Sequence, residues 1–198
     1  MKALYFGSFN PIHYGHIKQI TRLLVDNYEV ELMISPHNPH KDINSLLPYD
    51  LRLSICEAAI NDVYGDLIPS KYTNIKINTI EETMDKPNYT YLTLRKLTEM
   101  YGYKPAIVMG TDVINNLDTW RNSEEIMTYP IIQLHRPGYT LDESIYEKIK
   151  IILVLNINVK MSSSEVRLAM ENGDIDFVKK NMTKSSFKIY NRHCNINK

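Results

Sequence analysis

Short apolar runs alternate along this chain with stretches whose apolar residues recur at helical spacing. Residues 3–6 (Ala-Leu-Tyr-Phe) read as a buried strand ending at Gly7, and Ile17, Ile20 and Leu24 then share one helix face. Residues 30–34 make a second apolar run, stopped by Ser35 and Pro36. Three prolines within residues 36–48 predict a long loop, and a helix over residues 49–61 follows with Leu51, Ile55, Ala58 and Ala59 as its apolar set. Residues 75–80 alternate like a strand, and a helix starts near Thr90 with Leu94, Leu97 and Tyr101 in step. Residues 106–109 read as a strand ending at Gly110, residues 131–134 as another leading into His135-Arg136-Pro137-Gly138, and residues 151–155 as the last. A helix begins at Ser162-Ser163-Ser164, and residues 184–198 predict a short terminal helix.

Strand and helix periods taking turns in this way predict right-handed crossovers. The expected fold is α/β, a doubly wound, mostly parallel sheet with a small C-terminal helical part. Ligands of such folds bind beyond the carboxyl ends of the strands, near the reversal of strand order. The polar clusters of this chain nearly all stand just after a predicted strand.

Composition narrows the classes. At 198 residues with 43% hydrophobic content, one domain with a full core is expected. Lys and Arg total 23 and Asp and Glu total 23, so the basic excess of a nucleic-acid binder is missing. An anionic ligand must then be held by local groups rather than by the field of the whole molecule. The longest apolar candidate, residues 149–157, is interrupted by Lys150 and Asn156, so no membrane span is expected. Cys56 and Cys194 stand far apart and outside any metal-finger spacing, and the N-terminus opens straight into a strand. A cytoplasmic protein with two free thiols is expected.

The chemistry concentrates first in Gly7-Ser8-Phe9-Asn10-Pro11-Ile12-His13-Tyr14-Gly15-His16. A glycine at a strand end lets backbone approach a ligand, and free N–H groups at the following helix start suit phosphate. His13 and His16, three apart, project to one side. The pair reads equally as phosphate contacts or as polar residues capping the helix. A metal pair has less support, because no Cys, Asp or Glu stands nearby at ligand spacing. The second cluster is Ser162-Ser163-Ser164-Glu165-Val166-Arg167. Ser162 and Glu165 have capping-box spacing, while the hydroxyls, free N–H groups and Arg167 also suit a triphosphate.

The ordered set of motifs carries a resemblance. The first cluster resembles the (H/T)xGH signature of the adenylyltransferase superfamily, and residues 162–167 resemble its ISSTxxR-type partner. Asn38-Pro39-His40-Lys41 is similar to the PPHK segment of bacterial nicotinate-nucleotide adenylyltransferases, and Asn88-Tyr89-Thr90 with Thr93-Leu94 to their SYTxxTL stretch. Gly110-Thr111-Asp112 with Leu117 and Trp120 resembles their GxD…LxxW segment, and Arg136-Pro137-Gly138-Tyr139 their RPGY. Asn38, Asn88 and Ser164 replace a Pro, a Ser and a Thr of those patterns.

The resemblance implies one nucleotidyltransferase domain over residues 1–198 that joins nicotinate mononucleotide to the AMP moiety of ATP, with Mg2+ accompanying ATP. It implies catalytic roles for His13, His16, Lys41 and Arg167, with His16 at the α-phosphate. ATP would also meet Gly7, Ser8, Phe9, Gly110, Asp112, Ser162 and Ser163, with Asp112 at the ribose. The mononucleotide would meet Asn10, Lys41, Tyr89, Thr90, Trp120, Arg121 and Arg136, with Trp120 stacking on the pyridine ring. No protein metal site, nucleic acid or membrane is implied, and self-association into a homo-oligomer is left open. Nicotinamide mononucleotide is an alternative acceptor. A phosphopantetheine-using sister enzyme, which usually has Thr at the His13 position, and a silent nucleotide-binding module are further alternatives. Residue by residue, Trp120 also reads as core packing, Asp112 as a helix N-cap and Lys41 as a solvated loop charge.

Overall fold

The computed structural model describes residues 1–39, 41–65, 74–157 and 161–196. The chain opens with β1 (Lys2–Gly7), α1 (Tyr14–Val25) and β2 (Glu29–Ile34), then α2 (Tyr49–Tyr64), β3 (Ile75–Asn78) and α3 (Thr90–Tyr101). It continues through β4 (Ala106–Gly110), α4 (Thr111–Ile114), α5 (Ser123–Ile126), β5 (Pro130–Leu134), α6 (Glu143–Tyr146) and β6 (Lys150–Leu155). It closes with α7 (Ser163–Glu171), α8 (Ile175–Asn181) and α9 (Lys184–Ile196). The described strands form one six-stranded sheet in the order β3-β2-β1-β4-β5-β6, and every pairing is parallel. Strand order therefore reverses between β1 and β4, which opens a crevice at their carboxyl ends.

Both faces of the sheet are covered, as the apolar runs require. Alternation along β1 sends Ala3 and Tyr5 to one core, shared with α1, α2 and the C-terminal helices, and Leu4 to the other, shared with α3–α6. Leu4 is fully buried, and such burial stabilises the fold by roughly 1.5–3 kcal/mol per side chain. The C-terminal helices belong to the first core through Val166, Val178 and Tyr190. Asp62 on α2 accepts the Ser185 N–H at 2.6 Å and its hydroxyl at 2.7 Å, tying α2 to the start of α9.

Local departures from the sequence expectation have local causes. The expected strand over residues 75–80 stops at Asn78, whose Oδ1 accepts the Ile80 N–H at 3.0 Å and turns the chain into a short 3-10 helix, Ile80–Thr83. α2 runs three residues beyond the expected end, to Tyr64, whose hydroxyl pairs with Thr21 at 2.7 Å. α4, α5, α6 and α8 are short helices with no expected counterpart. Residue His40 of the 38–41 motif and the last residues of the 184–198 tail, 197–198, lie outside the described residues. No described helix is long and apolar enough to cross a membrane, and neither Cys56 nor Cys194 is in a disulfide.

Candidate active site

The turn after β1 supplies the floor of the crevice. Phe9 takes a left-handed backbone conformation (φ 43°), and its buried ring folds back against Gly7. A Cβ on Gly7 would meet that ring at 2.8 Å, so the glycine is needed for close packing. Phe9 stands edge-on to His16 at 5.1 Å and to Tyr5 at 5.5 Å, so its ring supports the histidine from the core side.

His13 is the N-cap of α1, and its Nδ1 accepts the Gly15 N–H at 3.1 Å. His16 reaches back, and its Nδ1 accepts the His13 N–H at 3.2 Å. The two readings of this pair are thus compatible, because capping occupies one nitrogen of each ring. In the neutral imidazole the other nitrogen carries the proton, so Nε2–H remains as a donor on both. The rings lie 3.9 Å apart between centroids. Burial, then the field of Arg136, pushes His13 down to about 4. Burial, then His13 and the cations Arg136 and Lys41, lowers His16 as well. Both rings are therefore neutral donors at neutral pH in the ligand-free protein.

The crevice encloses about 440 Å³, a volume suited to a nucleotide, and its lining contains every site residue expected from the sequence. At one end, Ser162 caps α7, with its Oγ accepting the Glu165 N–H at 3.2 Å while Glu165 accepts the Ser162 N–H at 2.6 Å. Ser163 Oγ donates to Pro11 O at 2.9 Å, and Arg167 donates to Asn10 O at 2.7 Å and to Ser164 Oγ at 3.2 Å. These contacts hold α7 against the turn after β1. Ser8 Oγ is buried and makes no hydrogen bond among the described residues. Lys41 stands exposed at the rim, with its pKa lowered by partial enclosure and then by Arg167, Arg52 and Arg136. The net charge of the chain is zero, yet this end of the crevice is cationic.

At the β4 end, Asp112 is in the first turn of α4, but the N-cap is Gly110, so the capping reading of Asp112 does not hold. Asp112 Oδ1 lies 3.2 Å from Arg136 Nε, without the alignment of a hydrogen bond. A Cβ on Gly110 would come within 2.4 Å of that oxygen and 3.1 Å of Arg136 Nε. At the opposite end, α3 begins at Thr90 with no side-chain cap, so its first N–H groups face the crevice mouth uncapped. The Arg121 guanidinium stacks over the Tyr89 ring at 4.9 Å. Trp120 is half-buried, packing against the second core while lining the crevice, so core packing and crevice lining coexist in it.

Asn10 has its carboxamide engaged within the protein. Its Nδ2 donates to Ser45 O at 3.1 Å and its Oδ1 accepts the Leu47 N–H at 2.9 Å, so the side chain tethers segment 36–48 while the residue lines the crevice. Arg52 has a role that its position in α2 does not announce. This guanidinium is 1% exposed and donates to Leu47 O (2.9 Å), Ser8 O (2.8 Å), Ser35 O (2.9 Å) and Pro36 O (3.2 Å). It clamps both ends of segment 36–48 to the phosphate-side turn. The only signal in sequence was a cation among the apolar positions of α2. Asn88, Glu81, Tyr5 and Gln19 also line the crevice and were not foreseen, and Tyr5 donates to Gln19 beneath it. Among the described residues, no group of three or more His, Cys, Asp or Glu side chains is placed to hold a metal ion.

A parallel sheet in this strand order, with paired histidines and a cation-lined crevice at the switch point, defines a nucleotidyltransferase; residues 4–169 match the cytidylyltransferase-like family. Within that class, a Flavobacterium psychrophilum protein named "Probable nicotinate-nucleotide adenylyltransferase" is 31% identical over 180 residues, covering 86% of each chain. One of the same name from Christiangramia forsetii is 34% identical over 178 residues, covering 85% of each. The chain belongs to the nicotinate-nucleotide adenylyltransferase family. Its fold is also similar to that of Plasmodium falciparum nicotinic acid mononucleotide adenylyltransferase complexed with NaAD, with a TM-score of 0.78 at 22% identity over 98% of this chain and 96% of that one.

Proposed function

We propose that the crevice catalyses adenylyl transfer from ATP to nicotinate mononucleotide, giving deamido-NAD and pyrophosphate. The observation that carries this reading is the use of Nδ1 on both His13 and His16 for capping, which leaves two neutral Nε2–H donors side by side at the switch point. The mononucleotide phosphate attacks the α-phosphorus in line. A P–O bond to that phosphate forms, the α–β bridging P–O bond breaks, and the electron pair leaves with pyrophosphate. A phosphate monoester has a second pKa near ~6, so the nucleophile is already largely ionised and needs no general base. The protein's work is to hold two anions together and to stabilise charge on the transferring group.

His16 donates to the α-phosphate, and His13, Ser8 and the start of α1 donate to neighbouring oxygens. Ser162, Ser163 and Arg167 hold the outer phosphates, with Lys41 closing from the rim. Asp112 Oδ1, ion-paired with Arg136 but without a hydrogen bond among the described residues, accepts from the ribose of ATP. Mg2+ would accompany ATP as part of the substrate and would supply charge neutralisation on its phosphates, beside Lys41 and Arg167. At the acceptor end, Trp120 stacks on the pyridine ring while N–H groups at Thr90 and the cationic Arg121 favour a carboxylate over a neutral amide. Cys56 and Cys194, neither of them in a disulfide, suit a cytoplasmic setting.

Pyrophosphate release by the purified protein with ATP and each of three acceptors tests the reading. The acceptors are nicotinate mononucleotide, nicotinamide mononucleotide and phosphopantetheine. Turnover with the first should exceed both others in kcat/KM. A preference for the amide overturns the acceptor assignment, and no turnover with any overturns the chemistry.

A further inference from the structure

The acceptor end of the crevice and the root of segment 36–48 are joined through one buried side chain. Asn88 is 4% exposed. Its main-chain N–H donates to His37 O at 3.1 Å, and its Oδ1 accepts the His37 N–H at 3.2 Å, so both backbone polar atoms of His37 pair with this residue. Its Nδ2 donates to Glu81 O at 2.8 Å. Glu81 is itself buried, and its Oε1 accepts from Thr93 Oγ1 at 2.8 Å, in the first turn of α3. A continuous chain of hydrogen bonds thus runs from His37 through Asn88 and Glu81 to the uncapped start of α3.

The other attachments of segment 36–48 point to the phosphates. Arg52 and Asn10 pin it to the turn after β1, and Lys41 lies on it four residues beyond His37. The segment therefore touches the phosphate-side turn through Arg52 and Asn10, and the start of α3 through Asn88. Resting on the reading of the crevice given above, we propose that Asn88 is a positioning residue that couples the Lys41-bearing segment to acceptor recognition, so that engagement of the ATP phosphates tightens binding of the mononucleotide.

The side-chain chemistry favours Asn for this task. A carboxamide presents an acceptor and a donor about one group apart, and meets the His37 N–H and the Glu81 carbonyl at once. A serine hydroxyl reaches one of them and leaves the other unpaired in a buried place. An aspartate keeps the acceptor but turns a charged oxygen towards the Glu81 carbonyl.

Binding of nicotinate mononucleotide, measured by calorimetry with and without α,β-methylene-ATP, tests the proposal on wild-type protein and on Asn88→Ser and Asn88→Ala. The wild type should bind the mononucleotide about tenfold tighter when the analogue is present. Both variants should bring that ratio close to one, while affinity for the analogue alone is kept. In turnover, KM for the mononucleotide at saturating ATP and KM for ATP at saturating mononucleotide should both rise, by similar factors, because the coupling is reciprocal. A ratio near one in the wild type, an unchanged ratio in the variants, or weakened binding of each ligand alone that tracks thermal stability each overturn the proposal. An active wild type with any of those results removes the coupling alone; an inactive wild type removes the functional reading beneath it. Should both variants fail to fold, amide exchange of the wild type decides: the mononucleotide alone must slow exchange at His37 and Lys41, and no slowing overturns the coupling.

Discussion

The rings of His13 and His16 lie 3.9 Å apart between centroids because each side chain bonds to the backbone at the start of the same helix, His13 to the Gly15 N–H and His16 to the N–H of His13. The cap fixes ring orientation and tautomer together. A structural device for starting α1 thereby aims two donors into the crevice.

Separating the two uses of His16 is the most direct test of that relationship. His16→Ala should lower kcat by a factor on the order of 10²–10³ and leave ATP affinity largely intact. It should also remove one cap, worth about 1 kcal/mol in thermal stability. His16→Gln restores a capping-box side chain at this position, so stability should return while kcat stays low. Near-normal turnover in either variant would take His16 out of the chemistry.

Acid should destabilise the ligand-free protein through these histidines. Burial, then Arg136, holds His13 at about 4 in the fold against an ordinary 6.5. Between those values the unfolded chain takes up a proton that the folded chain refuses, so stability is full above about 6.5 and declines as pH falls towards 4. The gap corresponds to about 3 kcal/mol, and His16, lowered in the same sense, adds to it. Urea midpoints measured from about pH 7 down to about pH 4.5 should fall, and fall less steeply in His13→Asn, which keeps a good N-cap residue. Parallel slopes would assign the acid sensitivity elsewhere.

Gly110→Ala should damage ATP use without harming the fold's core. The added Cβ would sit 2.4 Å from Asp112 Oδ1, and the carboxylate must swing away. A displacement of that size at a positioning group costs on the order of 10²-fold in kcat/KM. Steady-state kinetics should place the loss on ATP, with a melting temperature near wild type. A loss confined to the mononucleotide would argue against Asp112 as the ribose contact.

Trp120→Ala should show the opposite split. The ring packs partly on the second core, so some stability is lost with it. The larger effect should be a raised KM for the mononucleotide, with KM for ATP little changed. Equal effects on both substrates would reduce Trp120 to packing.

Much of this was legible in the sequence for reasons of period and order. The strand–helix alternation predicted a parallel, doubly wound sheet, and the sheet is parallel with its order reversing between β1 and β4. Residues expected at the site, from Ser8 and His13 to Arg167, line one crevice, because each follows a strand that ends on the same side of the sheet. The strand expected over 75–80 was too long, since alternation does not register that Asn78 turns the chain with its own side chain. Arg52 stands in helical register with Ile55, Cys56 and Ala59, a cation on the apolar face of α2, but its partners are not legible locally. Four carbonyls drawn from three separate stretches of chain make that burial tolerable, and their convergence is not a property of α2.

Local spacing by itself determined where the longer helices start, which faces are apolar and which polar clusters follow strands, because these depend on neighbours within a few residues. Tertiary structure decided how the polar groups are spent. It spent the Asn10 carboxamide on a tether to segment 36–48, made Gly110 rather than Asp112 the cap of α4, and gave Asn88 a partner at His37, 51 residues away. A buried polar group must be paired wherever a partner is found. That partner is set by the packing of distant segments, so a side chain's free atoms, and with them its chemistry, become known only once the chain is folded.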